Sequence, residues 1–294
     1  MRESLSVRRM AVAMVAAAAV GLVATALPAA ARAQITVESD VVYRTVDGEQ
    51  LGADVYLPAG QGDNRPAVLL VHGGGWVGGD KGSLQQQGMQ LAEAGFVAVS
   101  VSYRLAPDHP YPAAVDDVEA AVKWLRKKPQ RQAYGIDRDR IGAIGSSAGG
   151  HLVGMLAALG DGKLDKGARI AAAVSWSGPM DLTTVAAIVD GGNPLPQGAA
   201  ITTFLGCETG ACPAEAAEQA SPFTHVDRTD APTLLANSDA ELVPLALVQP
   251  MVDALEAADV ENELIVYPGN RHARALLPDV WPDTLAFLDE HLEP

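Results

Sequence analysis

Residues 141–150 read Ile-Gly-Ala-Ile-Gly-Ser-Ser-Ala-Gly-Gly, a short apolar run that leads into a serine flanked by glycines. The run is typical of a buried strand, and residues 148–159 favour a helix directly after it. A nucleophilic serine on a sharp strand-to-helix turn needs glycine two positions before it and two positions after it, where any side chain would collide. Only Ser147 has glycine at both places, so we predict that Ser147 is a nucleophile.

On both sides of this stretch, the chain alternates short apolar runs with helical segments. Runs that are typical of parallel strands buried on both faces lie at 67–71, 96–101, 141–144, 170–176, 233–235 and 264–267. Helices are predicted at 84–94, 112–126, 148–159, 244–258 and 282–292. An antiparallel hairpin is predicted at 35–58, around Asp47-Gly48. This order predicts an α/β fold with a doubly wound, mostly parallel sheet and an N-terminal hairpin.

A run of three glycines follows the strand predicted at 67–71, in the segment His72-Gly73-Gly74-Gly75-Trp76. Open α/β sheets place their active residues on loops at the carboxyl ends of strands. Glycines there let backbone N–H groups point at a developing oxyanion with no side chain in the way. A phosphate-binding loop is the alternative, but no Lys-Ser or Lys-Thr pair follows the glycines. We therefore expect an oxyanion site, to which the amide of Ala148 contributes.

His272 follows the last predicted strand, on a loop ahead of the last predicted helix. In this fold the base comes after the serine and the acid in chain order, which His272 satisfies. His151 and His225 are the competing histidines. His151 lies on the helix that follows Ser147, and His225 precedes the strand expected to carry the acid, so both are predicted to be structural.

Together these segments resemble the serine esterases of the α/β-hydrolase superfamily, in particular the hormone-sensitive-lipase-like branch and the acetylxylan and feruloyl esterase-like branch. The resemblance covers nearly all of residues 65–292. It includes Tyr-Arg-Leu-Ala-Pro at 103–107 and Asp116, which are expected to be structural. The resemblance implies a Ser-His-acid triad, with oxyanion donors at the three amides of Gly74, Gly75 and Ala148.

The acid is the triad member that the resemblance does not locate. In such families the catalytic Asp stands four residues before the proline of a Val-Pro pair, and here that position is Ala240. Asp239 lies one residue earlier and Glu241 one residue later. A loop can absorb a shift of one residue, and Asp239 follows the predicted strand closely, so Asp239 is the predicted acid. Glu241 is the alternative acid, and the absence of a working acid is the third possibility.

The first 33 residues predict a signal peptide that is cleaved after Ala33. Arg8 and Arg9 precede an apolar, alanine-rich stretch, and small residues precede the cleavage position. An uncleaved membrane anchor is the alternative, and the choice between general and twin-arginine export is open. Cleavage removes four basic residues and one acidic residue, which changes the net charge from −15 to −18. Such a charge disfavours nucleic acid and anionic membranes as partners of the expected secreted domain at 34–294.

Cys207 and Cys212, which four residues separate, predict a small disulfide loop. No other Cys or His stands nearby at the spacing of a zinc site, so no metal is expected, and no cofactor either. Both cysteines lie in residues 178–230, which interrupt the alternation of strands and helices. This segment is predicted to be an insertion that forms a small lid.

The predicted triad and oxyanion site indicate hydrolysis of carboxylic esters, and the resemblance implies short-chain acyl or aromatic groups, on small molecules or on polysaccharides. By resemblance, acetyl or feruloyl esters of plant polysaccharide are expected substrates. An amidase or peptidase with the same triad is the alternative enzyme. Because Ala240 occupies the expected position of the acid, a catalytically impaired hydrolase fold that acts as a binding protein is a further alternative. The number of subunits is left open.

Overall fold

The computed structural model describes residues 34–60, 62–184, 198–208 and 211–292. The predicted signal peptide at 1–33 lies outside these ranges. Among the helices of the described ranges, none is long and apolar enough to cross a membrane.

Eight strands of the described chain form one sheet. In chain order they are β1 (Thr36–Val46), β2 (Glu49–Leu57), β3 (Arg65–Val71), β4 (Val97–Val101), β5 (Ile136–Ser146), β6 (Ala172–Trp176), β7 (Thr233–Ser238) and β8 (Asn262–Tyr267). Their order across the sheet is β1-β2-β4-β3-β5-β6-β7-β8. In this spatial order, every neighbouring pair from β4 through β3 to β8 is parallel. The pairs β1–β2 and β2–β4 are antiparallel. The predicted mostly parallel sheet with an N-terminal hairpin is confirmed.

Helices cover the sheet on both faces. Successive residues of a strand point to opposite faces, and both sets are apolar here, so each face needs a helical layer to bury it. The helices are α1 (Gln85–Glu93), α2 (Ala113–Leu125), α3 (Lys128–Tyr134), α4 (Ala148–Ala158), α5 (Gly198–Leu205), α6 (Ala214–Gln219), α7 (Gln249–Ala257) and α8 (Leu277–Leu292). On β3, Val68 and Leu70 belong to the core that α1 and α8 complete. Leu69 and Val71 belong to the opposite core, which contains residues of α2, α4 and α7. The carboxyl ends of the parallel strands therefore form one edge between two helical layers.

Outside residues 178–230, three helices differ from the sequence prediction: α7 begins at Gln249 and not at Pro244, and the other two are α3 and α8. No helix was expected at α3, whose sequence lacks an apolar stripe, although proline near its start and left-handed Gly135 after its end are helix-boundary signals. The last helix was predicted to begin at Pro282, but α8 begins at Leu277 and contains Pro282. Proline removes one hydrogen bond to the preceding turn and crowds the carbonyl group there, but the buried face of α8 continues on both sides of it.

A buried ion pair joins β1 to the segment after β4. The side chain of Asp117 is fully buried, accepts a hydrogen bond from Arg104 Nε at 2.9 Å and pairs with Arg44. This carboxylate keeps the pKa of Arg104 above its ordinary value. The neighbouring Asp116, which was expected to be structural, is exposed on α2, because consecutive helix residues point about 100° apart. The structural carboxylate is therefore Asp117.

Replacement of this carboxylate is expected to be strongly destabilising. Asp117→Ala should lower the free energy of unfolding by about 3–5 kcal/mol, because Arg104, whose side chain is only 11% exposed, loses its partner. Urea unfolding of the wild-type and variant proteins measures the loss. Asp116→Ala is the matched control, and its exposed position predicts a change of less than about 0.5 kcal/mol. Equal effects of the two substitutions would contradict this assignment.

Candidate active site

Ser147 lies on a strained turn between β5 and α4. Its backbone has φ 55° and ψ −119°, a left-handed φ that non-glycine residues rarely adopt. A Cβ at Gly145 would collide with the carbonyl oxygen of Gly149, and a Cβ at Gly149 would collide with that of Val71. The Ser147 N–H donates to the Trp176 carbonyl oxygen at 2.8 Å and so holds the turn against β6. The two glycines thus permit the tight turn that the sequence predicts.

His272 contacts the hydroxyl of Ser147. The distance from His272 Nε2 to Ser147 Oγ is 2.9 Å, and His272 Nδ1 is hydrogen-bonded to Glu241 Oε2. An ionised carboxylate can only accept hydrogen bonds, so Nδ1 carries the proton and Nε2 accepts from the serine hydroxyl. The structure therefore brings together the predicted nucleophile and base in the geometry that proton transfer needs.

The structure places Glu241, and not the predicted Asp239, beside His272. Asp239 is exposed and accepts the N–H of Gly269 at 2.8 Å, away from His272. The side chain of Glu241 is fully buried and reaches back over the end of β7, where Oε1 accepts the N–H of Ser238 at 2.8 Å. This reversal of the chain within three residues brings the alternative residue, Glu241, to the imidazole.

Two serines that were not predicted as site residues connect the segments that carry Glu241 and His272. Ser177 Oγ donates to Glu241 Oε1 at 2.8 Å and accepts the Ala273 N–H at 2.8 Å. Ser238 Oγ donates to the Arg271 carbonyl oxygen at 2.7 Å. Ser177 directly follows β6, the neighbour of the strand that carries Ser147, at the sheet edge where loops carry active residues. This position at the carboxyl end of a strand is the signal by which the sequence could have indicated Ser177 as a site residue.

The glycine run lies against the turn that carries Ser147. A Cβ at Gly73 would come within 2.6 Å of the Ser146 carbonyl oxygen and 3.1 Å of Ser147 Cβ, so only glycine allows this approach. Of the three amides predicted as oxyanion donors, Gly75 and Ala148 line the cavity that contains Ser147. Gly74 forms the adjoining turn, in which its carbonyl oxygen accepts the N–H groups of Val77 and Gly78.

His72 supports the glycine run through contacts with Gly73 and Tyr103. Its ring stacks on Tyr103 with centroids 4.3 Å apart, and Nδ1 donates to the Gly73 carbonyl oxygen at 2.8 Å. The Tyr103 hydroxyl donates to the His72 carbonyl oxygen at 3.0 Å. His151 and His225 each donate from Nε2 to a backbone carbonyl oxygen, of Ala220 and Gln219 respectively. The structure therefore places His272, and neither His151 nor His225, against Ser147.

A small apolar cavity of about 160 Å³ adjoins Ser147. Its lining residues are Gly75, Trp76, Ser147, Ala148, Pro179, Ala200, Ile201, Leu242, Val243 and Leu247. Ala200 and Ile201 belong to α5, within the segment 178–230 that was predicted as an insertion. The described part of this segment therefore contributes one wall of the cavity, and residues 185–197 and 209–210 of it lie outside the described ranges.

The predicted disulfide joins Cys207 and Cys212, whose Cα atoms are 5.1 Å apart. It closes the loop that follows α5. Within the described residues, no cluster of three or more His, Cys, Asp or Glu side chains is suitable for a metal ion.

Comparisons with known proteins identify the family of the chain. The sequence matches the BD-FAE family over residues 53–255. It is 39% identical to "Esterase LipI" of Mycobacterium tuberculosis over 128 residues, which are 41% of this chain and 38% of LipI. It is 32% identical to "Probable carboxylic ester hydrolase LipM" of the same organism over 237 residues, 72% of this chain and 50% of LipM. The chain thus spans half or less of the length of these relatives.

A solved structure described as a truncated form of a carbohydrate esterase from gut microbiota has the same fold. It superimposes with a TM-score of 0.73 at 24% sequence identity, and the match covers 91% of this chain and 99% of the other. At this identity the likeness establishes the fold alone. The family match includes both the glycine run and the turn at Ser147. The chain belongs to the BD-FAE family and has the α/β-hydrolase fold of the serine esterases.

Proposed function

We propose that this protein is a serine carboxylesterase in which Ser147 is the nucleophile, His272 the general base and Glu241 the acid. The proposal rests on one observation, the continuous hydrogen bonding from Ser147 Oγ through His272 to the buried carboxylate of Glu241. A buried carboxylate beside Nδ1 fixes the tautomer that leaves Nε2 free to accept a proton. The relatives LipI and LipM, named as ester hydrolases, support the same activity.

The reaction proceeds in two acyl-transfer steps. His272 Nε2 takes the proton of Ser147 as Oγ attacks the ester carbonyl carbon. The oxyanion that forms accepts hydrogen bonds from backbone N–H groups. Gly75 and Ala148 supply these donors, with Gly74 as the third predicted one. Protonated His272 then gives its proton to the ester oxygen, the bond from carbon to that oxygen breaks, and the alcohol leaves. Water, deprotonated by His272, attacks the acyl-enzyme, and the carboxylic acid is released with Ser147 restored.

The cavity beside Ser147 favours a short, uncharged acyl group. Its volume of about 160 Å³ corresponds to roughly five water molecules at their share of liquid volume. Its lining residues carry no charged side chain, so an apolar acyl chain can be buried there without loss of charge solvation. We therefore expect acetyl and butyryl esters to be better substrates than octanoyl esters.

A matched pair of substrates tests the proposed activity. p-Nitrophenyl acetate and p-nitroacetanilide present the same acyl group with an ester and an amide bond, and the ester is expected to have the higher kcat/KM. Initial rates with the wild-type protein, less those with Ser147→Ala, measure enzymatic turnover of each. Faster hydrolysis of the anilide would assign an amidase, and no turnover of either would support a binding protein.

We also propose that the protein is exported and that residues 1–33 are removed. The basic start, the apolar stretch and the small residues before Ala33 support cleavage, and a disulfide is typical of oxidising compartments outside the cytosol. Mass spectrometry of protein from the culture medium should therefore find Gln34 at the N-terminus. A full-length chain retained in the cell membrane would instead support the uncleaved anchor.

A further inference from the structure

Trp76 is held in place on one wall of the cavity by three segments of the fold. It follows the glycine run directly, is 3% exposed and has a positive φ of 60°. Its ring stacks on Phe204 of α5, with centroids 4.6 Å apart and ring planes 19° from parallel. Its indole N–H donates to His151 Nδ1 at 3.2 Å. The glycine run, α4 and α5 therefore meet at this one side chain.

His151 is a buried histidine that the proposed mechanism does not use. It lies four residues after Ser147 on α4 and is fully buried. Indole nitrogen can only donate, so His151 Nδ1 must be the acceptor and Nε2 must carry the proton. That proton is donated to the Ala220 carbonyl oxygen at 2.7 Å. Both ring nitrogens are thus occupied in one neutral tautomer, and burial lowers the pKa of His151 to about 4.

The same cluster fixes α5 over the cavity. The edge of the His151 ring meets Phe204 with centroids 5.4 Å apart, and the Phe204 carbonyl oxygen accepts the Tyr111 N–H at 2.6 Å. Ala200 and Ile201, one turn earlier on α5, line the cavity. Ala200 Cβ lies 3.3 Å from where a Cβ would stand on Gly75, so little space separates α5 from the glycine run.

We propose that His151 is a positioning residue that limits acyl-chain length, by holding Trp76 and α5 as the closed walls of the cavity. This inference rests on the proposed ester hydrolysis at Ser147. Loss of either hydrogen bond of His151 leaves a buried polar group without a partner, on Trp76 or on Ala220, and the cavity walls separate to satisfy it. Longer acyl chains then enter the widened cavity, because each added methylene group buries more apolar surface there and strengthens binding.

The test compares kcat/KM for p-nitrophenyl octanoate with that for p-nitrophenyl acetate. His151→Leu places an apolar side chain at this buried position and removes both hydrogen bonds, and it should raise the octanoate-to-acetate ratio about tenfold or more. Trp76→Phe removes the indole N–H together with part of the ring, and it should raise the ratio in the same direction. In the double variant the two increases in the ratio should not add, because both substitutions break the same hydrogen bond between Trp76 and His151.

His225→Leu is the matched control. His225 also donates from Nε2 to a backbone carbonyl oxygen, that of Gln219 at 2.8 Å, but it contacts neither Trp76 nor Phe204 among its described partners. The octanoate-to-acetate ratio of His225→Leu should equal that of the wild type. An unchanged or lower ratio in His151→Leu, or an equal rise in His225→Leu, overturns the inference.

If His151→Leu does not fold, His151→Met, which also removes both hydrogen bonds of His151, decides instead, and an unchanged ratio in that variant overturns the inference. A wild-type protein that hydrolyses neither ester overturns the proposed function itself, whereas one that hydrolyses acetate with a ratio insensitive to the substitutions of both His151 and Trp76 overturns only the role of His151.

Discussion

Replacement of Ser147 by alanine should lower kcat for p-nitrophenyl acetate by about 10⁶-fold. Alanine keeps the Cβ and hence the same backbone strain at the turn, so the loss reports the hydroxyl group and not the fold. The remaining rate should come from substrate binding and from the backbone donors alone. Steady-state rates at saturating ester, with protein concentrations high enough to detect the residual rate, measure the change.

Ser146→Ala is the control for this experiment. Ser146 is adjacent to Ser147, lies at the end of β5 and is 3% exposed. Its hydroxyl has no part in the proposed reaction, so its kcat should stay within a few-fold of the wild type. More than about 1% of wild-type activity in Ser147→Ala, or comparable losses in the two variants, would contradict the assignment of Ser147.

The second large effect is expected at the acid. Glu241→Gln should lower kcat by about 10⁴-fold with a smaller change in KM, because an amide beside Nδ1 no longer fixes the required imidazole tautomer. Asp239→Asn, at the position that the sequence favoured, should change kcat by no more than a few-fold. Steady-state kinetics of the two variants on the same ester decide between the two acids. A large loss in Asp239→Asn with none in Glu241→Gln would return the role to Asp239.

Ala240→Asp provides a further control, because the family pattern expects the acid at that position. Ala240 is exposed, and its N–H donates to the Gly269 carbonyl oxygen at 3.0 Å. A carboxylate there would face solvent, so combining Ala240→Asp with Glu241→Gln should not restore the lost activity.

The sheet could be predicted because its strands are buried on both faces. Runs such as 67–71 and 141–144 are continuously apolar, which is a signal that does not depend on distant residues. Ser147 and the glycine run could be found for a similar reason. Their local backbone geometry excludes side chains at fixed positions, and this exclusion is written directly in the sequence as glycine.

The acid could not be predicted because its location depends on the path of a loop. Spacing from the Val-Pro pair measures distance along the chain, whereas the Glu241 side chain reaches His272 only because the chain turns back onto Ser238. The longer side chain of Glu than of Asp also absorbs the one-residue shift. Similarly, the wall that α5 adds to the cavity depends on how 178–230 folds onto Trp76, and no local pattern encodes that contact.

The central claim is that Ser147 is a nucleophile activated by His272. Reaction of the protein with a fluorophosphonate, followed by peptide fragmentation in the mass spectrometer, identifies the modified residue and separates Ser146 from Ser147. We expect one adduct, on Ser147, with slow labelling in His272→Ala and none in Ser147→Ala. An adduct on another residue, or equal labelling of wild type and Ser147→Ala, would contradict the claim.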